Sequence, residues 1–242
     1  MDREDRDGQV PAEDRIQAGI EPYHRRMLAV YDWLVLGLVC RWVWRCPRST
    51  MLAHYDEHVG ARHLDLGPGT GWFLDNCHFP TPAPSITLVD LSEAALATAA
   101  LRIARYRPVR HSGDVYKSLN LGAAQFDSVG MNLLLHCLPG SFRQKAVVFD
   151  HVTPHLGANG LVFGSTILGI DKRHTTLSTA LCRRLNRADS FDNAADRIED
   201  LARELETRFT EVRLVRSGVV CLFSARHPRP AAPARGGAGA LR

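Results

Sequence analysis

Short apolar runs alternate with polar, helix-forming stretches along most of this 242-residue chain. Runs rich in β-branched residues predict buried strands, and the amphipathic stretches between them predict helices. The predicted strands cover residues 61–66, 85–90, 109–112, 125–132, 160–168, 209–216 and 218–226, and the clearest predicted helices cover 92–105 and 140–155. Such alternation is typical of a parallel sheet with helices on both faces.

The end of the chain departs from this alternation. The last two predicted strands are separated only by Ser217 and Gly218. A parallel crossover needs about a dozen residues or more, so these two strands must pair antiparallel. Before them, a helix is predicted to begin near Asp192 and Asn193, with an apolar stripe formed by Ile198, Leu201, Ala202 and Leu205.

A glycine-rich turn follows the first predicted strand. Residues 65–71 carry glycines at alternate positions, Gly67, Gly69 and Gly71. Glycine is needed where a chain turns sharply from strand to helix with positive φ, and where a ligand touches bare backbone. A dinucleotide-binding turn would place its last glycine at Trp72, so the spacing disfavours a nicotinamide cofactor.

Acidic residues stand at the ends of the next two predicted strands. Asp90 follows an apolar run, and Asp114 comes directly after Ser112 and Gly113. A carboxylate at the tip of the second strand can accept two hydrogen bonds from the hydroxyls of a ribose. Helix capping is the alternative role for polar residues at strand ends, and it suits Ser92 better.

With these motifs the chain resembles the class I S-adenosylmethionine-dependent methyltransferases of the small-molecule type, over roughly residues 22 to 226. The resemblance implies an α/β Rossmann-like, doubly wound fold: a mostly parallel seven-stranded sheet with one antiparallel terminal strand, plus an N-terminal cap helix. It implies S-adenosylmethionine as the cofactor and a small, apolar or aromatic metabolite as the methyl acceptor. A protein with the same fold that catalyses a cyclisation or rearrangement, or that acts without catalysis, is the alternative.

The resemblance also implies the cofactor-binding residues. Asp65 and the three glycines would line the methionine end, Asp90 would hold the ribose, and Asp114 and the Val115 N–H would contact adenine. Tyr31 either reaches the methionine carboxylate, as in the Tyr-Asp element of the quinone-biosynthesis methyltransferases, or packs inside the cap helix. The full predicted set is Tyr31, Asp65, Gly67, Gly69, Gly71, Asp90, Leu91, Asp114, Val115 and Asn132.

His136 interrupts an apolar run after the fourth predicted strand, which by resemblance lines the mouth where cofactor and acceptor meet. As a neutral imidazole it is a candidate general base for a phenol, hydroxyl or amine. The alternative is a hydrogen-bonded pocket residue in an enzyme that works by proximity and in-line alignment. Acceptor contacts are predicted within residues 170–193, where the candidates are His174, Thr175, Thr176 and Arg184. The alternative is that these four are plain surface residues.

Composition restricts the remaining classes. A net charge of +4 without a basic, aromatic-rich stripe argues against a nucleic-acid partner. The apolar run at residues 30–44 is interrupted by Asp32 and Arg41 and is too short to span a membrane. Six cysteines without C-x-x-C spacing, and a polar N-terminus, predict a reducing cytoplasm.

The remaining expectations concern the ends of the chain and metals. Residues 1–20 and 227–242 are predicted to be disordered tails around a single domain at 21–226. Residues 54–58 match the H-x-x-E-H pattern of inverted zinc proteases. We expect a polar connector without helical length there, with Glu57 and His58 in solvent, and therefore no metal site.

Overall fold

The computed structural model describes residues 32–230, with side chains described from residue 37 onward. Tyr31, the predicted N-terminal tail and residues 231–242 lie outside this range. The described chain contains seven strands: β1 Arg62–Leu66, β2 Ser85–Asp90, β3 Val109–Ser112, β4 Phe126–Asn132, β5 Leu156–Ile167, β6 Phe209–Ser217 and β7 Val220–Pro228. They form one sheet in the order β3-β2-β1-β4-β5-β7-β6.

The pairing directions confirm the predicted sheet. Strands β1 to β5 pair parallel to their neighbours, whereas β7 pairs antiparallel with both β5 and β6. The antiparallel strand is the last of the described strands but lies inside the sheet, and β6 forms the edge. A register shift between Phe126 and Ser128 lets β5 begin at Leu156, earlier than its apolar run predicts.

The helices lie on both faces of this sheet. They are α1 Asp32–Val43, which has π-helical geometry, α2 Arg48–His58, α3 Trp72–Asn76, α4 Glu93–Arg102, α5 Phe142–Lys145, α6 Val147–Val152, α7 Thr176–Arg187 and α8 Ile198–Arg208. The predicted helix at 92–105 is confirmed as α4, which begins after its cap Ser92. The predicted helix at 140–155 is divided into α5 and α6.

The predicted start of α8 near Asp192 and Asn193 was wrong, because the helix begins at Ile198. The cap-type side chains that suggested the earlier start bind neighbouring loops instead. Asn193 is fully buried and donates from Nδ2 to the Ile167 carbonyl at 2.8 Å, and Asp192 Oδ2 accepts the Gly140 N–H at 2.8 Å. The predicted apolar stripe is present within α8, where Leu201 and Leu205 are fully buried.

Two cores flank the sheet. Tyr55 of α2 and Leu96 of α4 pack with Phe163 on one face, while Phe149 of α6 and Leu201 of α8 belong to the larger core on the other. A third cluster joins the cap helix α1 to α7 and the start of β7 through Cys40, Trp44, Cys182 and Val220. The doubly wound arrangement leaves the C-terminal ends of β1, β2 and β4 together at one edge, where ligands bind in open α/β sheets.

Candidate active site

The glycine loop between β1 and α3 adopts the backbone that its sequence predicts. Gly67, Gly69 and Gly71 all have positive φ, at 64°, 54° and 72°. A Cβ on Gly67 would come within 2.8 Å of the Leu134 side chain, and one on Gly71 within 3.0 Å of the α4 backbone at Ala99. A Cβ on Gly69 would meet no atom within 4 Å. Gly69 therefore presents bare backbone to open space, as a ligand-binding turn requires.

Asp65 lies at the base of this loop and is almost completely buried. Its Oδ2 atom accepts a hydrogen bond from the Tyr55 hydroxyl at 2.6 Å and lies 3.3 Å from His63 Nε2. Sequence reasoning missed both partners. The signal it could have used is the alternation of His63 and Asp65 with Leu64 and Leu66, which places two polar side chains on the same buried face of the strand.

Asp90 ends β2 beside the glycine loop, since the Gly67 N–H donates to the neighbouring Val89 carbonyl at 2.8 Å. Its Oδ1 accepts the Ser92 N–H at 2.8 Å. Burial, with a smaller contribution from the charge of Asp65, raises the pKa of Asp90 to about 6. Leu91, the next predicted residue, is 38% exposed at the same strand end.

Asp114 and Val115 lie in the turn after β3. Asp114 Oδ1 accepts the Tyr116 N–H at 2.9 Å, and its carbonyl accepts the Lys117 N–H at 2.9 Å. Val115 is buried in the larger core, and its carbonyl contacts His151 Nδ1 at 3.0 Å. This turn follows β3, beside the strand that carries Asp90, which is the position where the resemblance places the adenine contacts.

Asn132 is the last residue of β4, and both polar atoms of its side chain are buried without a hydrogen-bond partner among residues 32–230. Buried amides are nearly always hydrogen-bonded, so we expect the Oδ1 and Nδ2 atoms of Asn132 to bind a ligand or water. The next residue, Leu133, has a positive φ of 56°, which is strained for a leucine. The end of β4 therefore combines a left-handed leucine with an amide that the described residues leave without a hydrogen bond.

His136 lies in a short 3₁₀ turn, Leu135–Cys137, and is only 2% exposed. The Ile167 N–H approaches its Nδ1 at 3.4 Å, and the Phe191 ring packs against it edge-on with centroids 4.4 Å apart. Burial, and then the charge of Lys145, lower the pKa of His136 to about 3. The imidazole is therefore neutral at physiological pH, as predicted, but it is also a weak base.

The segment predicted to contact the acceptor is largely occupied by its own hydrogen bonds. His174 uses both ring nitrogens, towards Ser178 Oγ at 3.0 Å and the Leu168 carbonyl at 2.9 Å. Thr175 caps α7 by accepting the Ser178 N–H. Thr176 and Arg184 are exposed. These contacts give His174 and Thr175 a role in holding the loop.

A buried ion pair that sequence reasoning missed joins α5 to the loop before α8. Lys145 Nζ lies 2.7 Å from Asp196 Oδ2 and 2.6 Å from the Asp192 carbonyl, and its side chain is fully buried. The Asp192 N–H donates to the His136 carbonyl at 2.9 Å. This network fixes the loop that carries Phe191 against His136.

The expectation of a polar connector at residues 54–58 was wrong, because these residues form the last turns of α2 and His58 is 7% exposed, although Glu57 is exposed as expected. One ligand atom each from His54, Glu57 and His58 lies within 4.8 Å of the others. However, His54 Nε2 contacts the Phe223 carbonyl, His58 Nδ1 contacts the His54 carbonyl, and Glu57 is paired with Arg213 at 2.8 Å. These contacts give each side chain a structural partner, and we assign no metal to them.

Together the sheet order, the glycine loop and the acids at the strand ends define a Rossmann-like methyltransferase domain. Residues 64–162 match the family described as a methyltransferase domain. The chain is 35% identical over 209 residues to the demethylluteothin O-methyltransferase of Streptomyces thioluteus. The aligned region covers 86% of this chain and 90% of that relative. It is 38% identical over 216 residues to the physcion biosynthesis cluster O-methyltransferase of Aspergillus chevalieri, covering 88% and 96%.

Solved structures agree with this assignment at the level of the fold. The N-methyltransferase NodS from Bradyrhizobium japonicum WM9, in complex with S-adenosyl-L-homocysteine, superposes with a TM-score of 0.62 at 17% identity and covers 90% of this chain and 100% of its own. The chain belongs to the class I S-adenosylmethionine-dependent methyltransferases, and S-adenosylmethionine is its cofactor. No helix within residues 32–230 is long and apolar enough to cross a membrane.

Proposed function

We propose that this enzyme methylates an oxygen atom of a small, apolar or aromatic molecule. The cofactor site is supported by the open space at Gly69, together with the buried amide of Asn132, which has no partner in the described part of the chain. Both stand at C-terminal strand ends on neighbouring strands of the sheet. Oxygen is favoured as the acceptor atom because two relatives of high coverage are named O-methyltransferases.

The residues around the loop suit a cationic nucleoside. When bound, S-adenosylmethionine supplies a methyl group attached to a positively charged sulfur. Asp65 and Asp90 place two carboxyl groups beside the loop, and a negative potential favours a ligand that carries an ammonium and a sulfonium. We assign the ribose hydroxyls to Asp90, the adenine to Asp114 and the Val115 N–H, and the methionine end to Asp65 and the loop backbone.

An apolar acceptor is favoured by what surrounds the mouth of the site. Trp44 of the cap and Phe191 pack with ring centroids 6.2 Å apart, and Leu133 packs against the same cluster. Such surroundings exclude water. Since charge on sulfur is lost as the methyl group leaves, a poorly solvating site favours the transition state over the charged ground state.

We assign the rate enhancement mainly to positioning of the acceptor, whose hydroxyl proton passes to water as the methyl group is transferred. His136 remains the candidate base because it is neutral and lies in the turn after β4. Its pKa of about 3, however, is far from the operating pH that an efficient general base requires. We propose that alignment of the acceptor oxygen with the departing methyl group provides most of the rate enhancement, and that His136 shapes the pocket wall.

The free cysteines support a proposal about the cellular compartment in which the enzyme acts. All six cysteines are free, and five of them are buried. Free thiols are typical of reducing compartments, so we propose that the enzyme acts in the cytoplasm.

Transfer of a labelled methyl group tests the proposal. The purified enzyme is incubated with methyl-labelled S-adenosylmethionine and a panel of aromatic hydroxy compounds, matched aromatic amines and thiols. We expect label only on oxygen, and calorimetric binding of S-adenosylhomocysteine but not of NADH. Label on amines alone would refute the acceptor atom. Binding of NADH without binding of S-adenosylhomocysteine would refute the cofactor assignment.

A further inference from the structure

A chain of buried polar side chains runs from the fourth strand to Asp65. The Tyr55 hydroxyl lies 2.6 Å from Asp65 Oδ2 and 2.7 Å from His63 Nε2. His63 Nδ1 lies 2.7 Å from Ser128 Oγ, which accepts the Gly60 N–H at 2.8 Å. Tyr55, His63 and Ser128 are completely buried. They come from α2, β1 and β4, so three elements converge on one carboxylate.

The direction of each hydrogen bond follows from the available protons. A carboxylate only accepts, so the single proton of the Tyr55 hydroxyl is donated to Asp65. The Tyr55 oxygen can then only accept from His63, which places a hydrogen on Nε2. With that hydrogen on Nε2, we assign Nδ1 as the acceptor of the Ser128 hydroxyl. Every member of the chain is satisfied in this arrangement, which a buried polar network requires.

Two further observations show that the arrangement is rigid. The Tyr55 ring is stacked on Phe73 at an interplanar angle of 9° and meets Phe163 edge-on, which holds its hydroxyl in place. Gly130 of β4 lies opposite Asp65, and a Cβ there would come within 3.2 Å of Asp65 Oδ2 and 3.0 Å of the His63 ring. The neighbouring strand thus leaves the space that the network occupies.

Only one oxygen of Asp65 takes part. Both contacts that the described residues make with this carboxylate fall on Oδ2. The other oxygen, Oδ1, keeps its capacity to accept hydrogen bonds. Burial, and then the Asp65 charge, raise the pKa of Tyr55 well above its usual value, so the phenol stays a donor. A carboxylate anchored through one oxygen has lost the freedom to rotate, and a ligand binding to the other oxygen avoids that entropic cost.

We infer that Tyr55 and His63 are positioning residues, which hold Asp65 so that its second oxygen binds the methionine end of the cofactor. This inference rests on the proposed function, because it assigns Asp65 to the cofactor site. Ser128 lies at the end of the same hydrogen-bond network that is furthest from Asp65. None of the three is assigned a contact with the cofactor, and their effect passes through Asp65 alone.

A double-mutant cycle between Tyr55→Phe and Asp65→Asn tests the inference, with S-adenosylhomocysteine binding measured by calorimetry. We expect Tyr55→Phe alone to weaken binding by about threefold to thirtyfold, within the range of couplings between contacting residues. In the Asp65→Asn background the same change should have almost no further effect on binding. Thermal unfolding of each variant, followed by circular dichroism, confirms that the proteins compared are folded.

A purely structural role for Tyr55 gives a different pattern, with equal losses of affinity in both backgrounds, and this would overturn the inference. So would unchanged binding in a folded Tyr55→Phe protein. Ser128→Ala provides a second variant, with a smaller loss expected because it is further along the chain. Tyr106→Phe is the control outside the network: Tyr106 is half-buried in the turn after α4, where its ring meets Phe79 edge-on, and this variant should bind normally. Failure of the wild type to bind would instead refute the cofactor site itself.

Discussion

Replacing Asp90 by asparagine is expected to stabilise the folded protein while weakening its binding of the cofactor. The side chain keeps its shape and can still accept the Ser92 N–H through Oδ1. What it loses is a negative charge that burial makes unfavourable. Opposite effects on stability and on ligand binding are characteristic of a side chain that contributes to binding at a cost in folding stability.

The magnitude follows from the pKa of Asp90, which is raised from 3.8 to about 6. A tenfold change in proton affinity is worth about 1.4 kcal/mol, so the buried charge costs at most about 3 kcal/mol at neutral pH. We expect Asp90→Asn to gain about 1 to 3 kcal/mol, or roughly 2 to 10 °C in Tm for a domain of this size. Loss of hydrogen bonds to a charged acceptor should weaken S-adenosylhomocysteine binding by about tenfold to a hundredfold.

The pH dependence of stability follows from the burial of Asp90, and the pH dependence of binding separates a ligand contact from a strand-end cap. Because the folded pKa of Asp90 is raised, its stabilising contribution is fully present below about pH 3.8 and is lost as the pH rises through about 6. The advantage of Asp90→Asn should therefore be largest above pH 6 and disappear towards pH 4. Wild-type affinity for S-adenosylhomocysteine should fall below about pH 6 as the carboxylate is protonated, whereas the variant should lack this dependence.

Thermal unfolding by circular dichroism and titration calorimetry, each at several pH values, measure these effects. Asp127→Asn is the matched control, since Asp127 is a strand carboxylate paired with exposed Arg62 at 2.6 Å. Arg62 lowers the pKa of Asp127, so this control should lose stability, by at most about 1 kcal/mol, and bind normally. An Asp90→Asn protein that is less stable and binds with unchanged affinity would refute the reasoning and leave Asp90 as a strand-end cap.

Three further experiments address the loop, the buried ion pair and the candidate base. Gly69→Ala should lose about 1 to 2 kcal/mol of folding stability because its backbone is left-handed, and Gly71→Ala should lose more because its Cβ contacts α4. Both variants should bind S-adenosylhomocysteine poorly in calorimetry. Normal binding by Gly69→Ala would contradict the proposed site. Lys145→Met should cost about 3 to 5 kcal/mol in urea unfolding by leaving the buried Asp196 carboxyl without its partner, and adding Asp196→Asn should recover part of this loss. Wild-type turnover should show no imidazole-dependent fall between pH 8 and 5, because the pKa of His136 is about 3; a fall near pH 6 that vanishes in His136→Gln would instead establish it as the base.

The parts of the fold that sequence predicts well are those fixed by local rules. The two-residue connection at Ser217 and Gly218 leaves only an antiparallel pairing for the last strands, and β6 and β7 pair in that way. Alternate glycines predict a left-handed turn, and all three have positive φ. These features depend on backbone sterics within a few residues, so they can be derived without knowing the rest of the structure.

The parts that sequence does not predict depend on distant partners. Asp192 and Asn193 have the composition of a helix cap, but their tertiary contacts with Gly140 and Ile167 outweigh that tendency. His58 was expected in solvent, yet its ring stacks on Phe163 at the buried face of α2. The contact between His63 and Ser128 joins residues 65 positions apart, and no local pattern specifies it.

The position of β7 has a consequence for how the protein is made. This strand is synthesised last among the described elements, yet it lies between β5 and β6. A nascent chain that has reached only residue 217 holds β6 without β7, the one strand with which it pairs in the described part of the chain, and leaves one edge of β5 open. Exposed strand edges recruit other chains. The enzyme therefore cannot complete its sheet until residues 220–228 have left the ribosome, and premature termination before them should yield an aggregation-prone product.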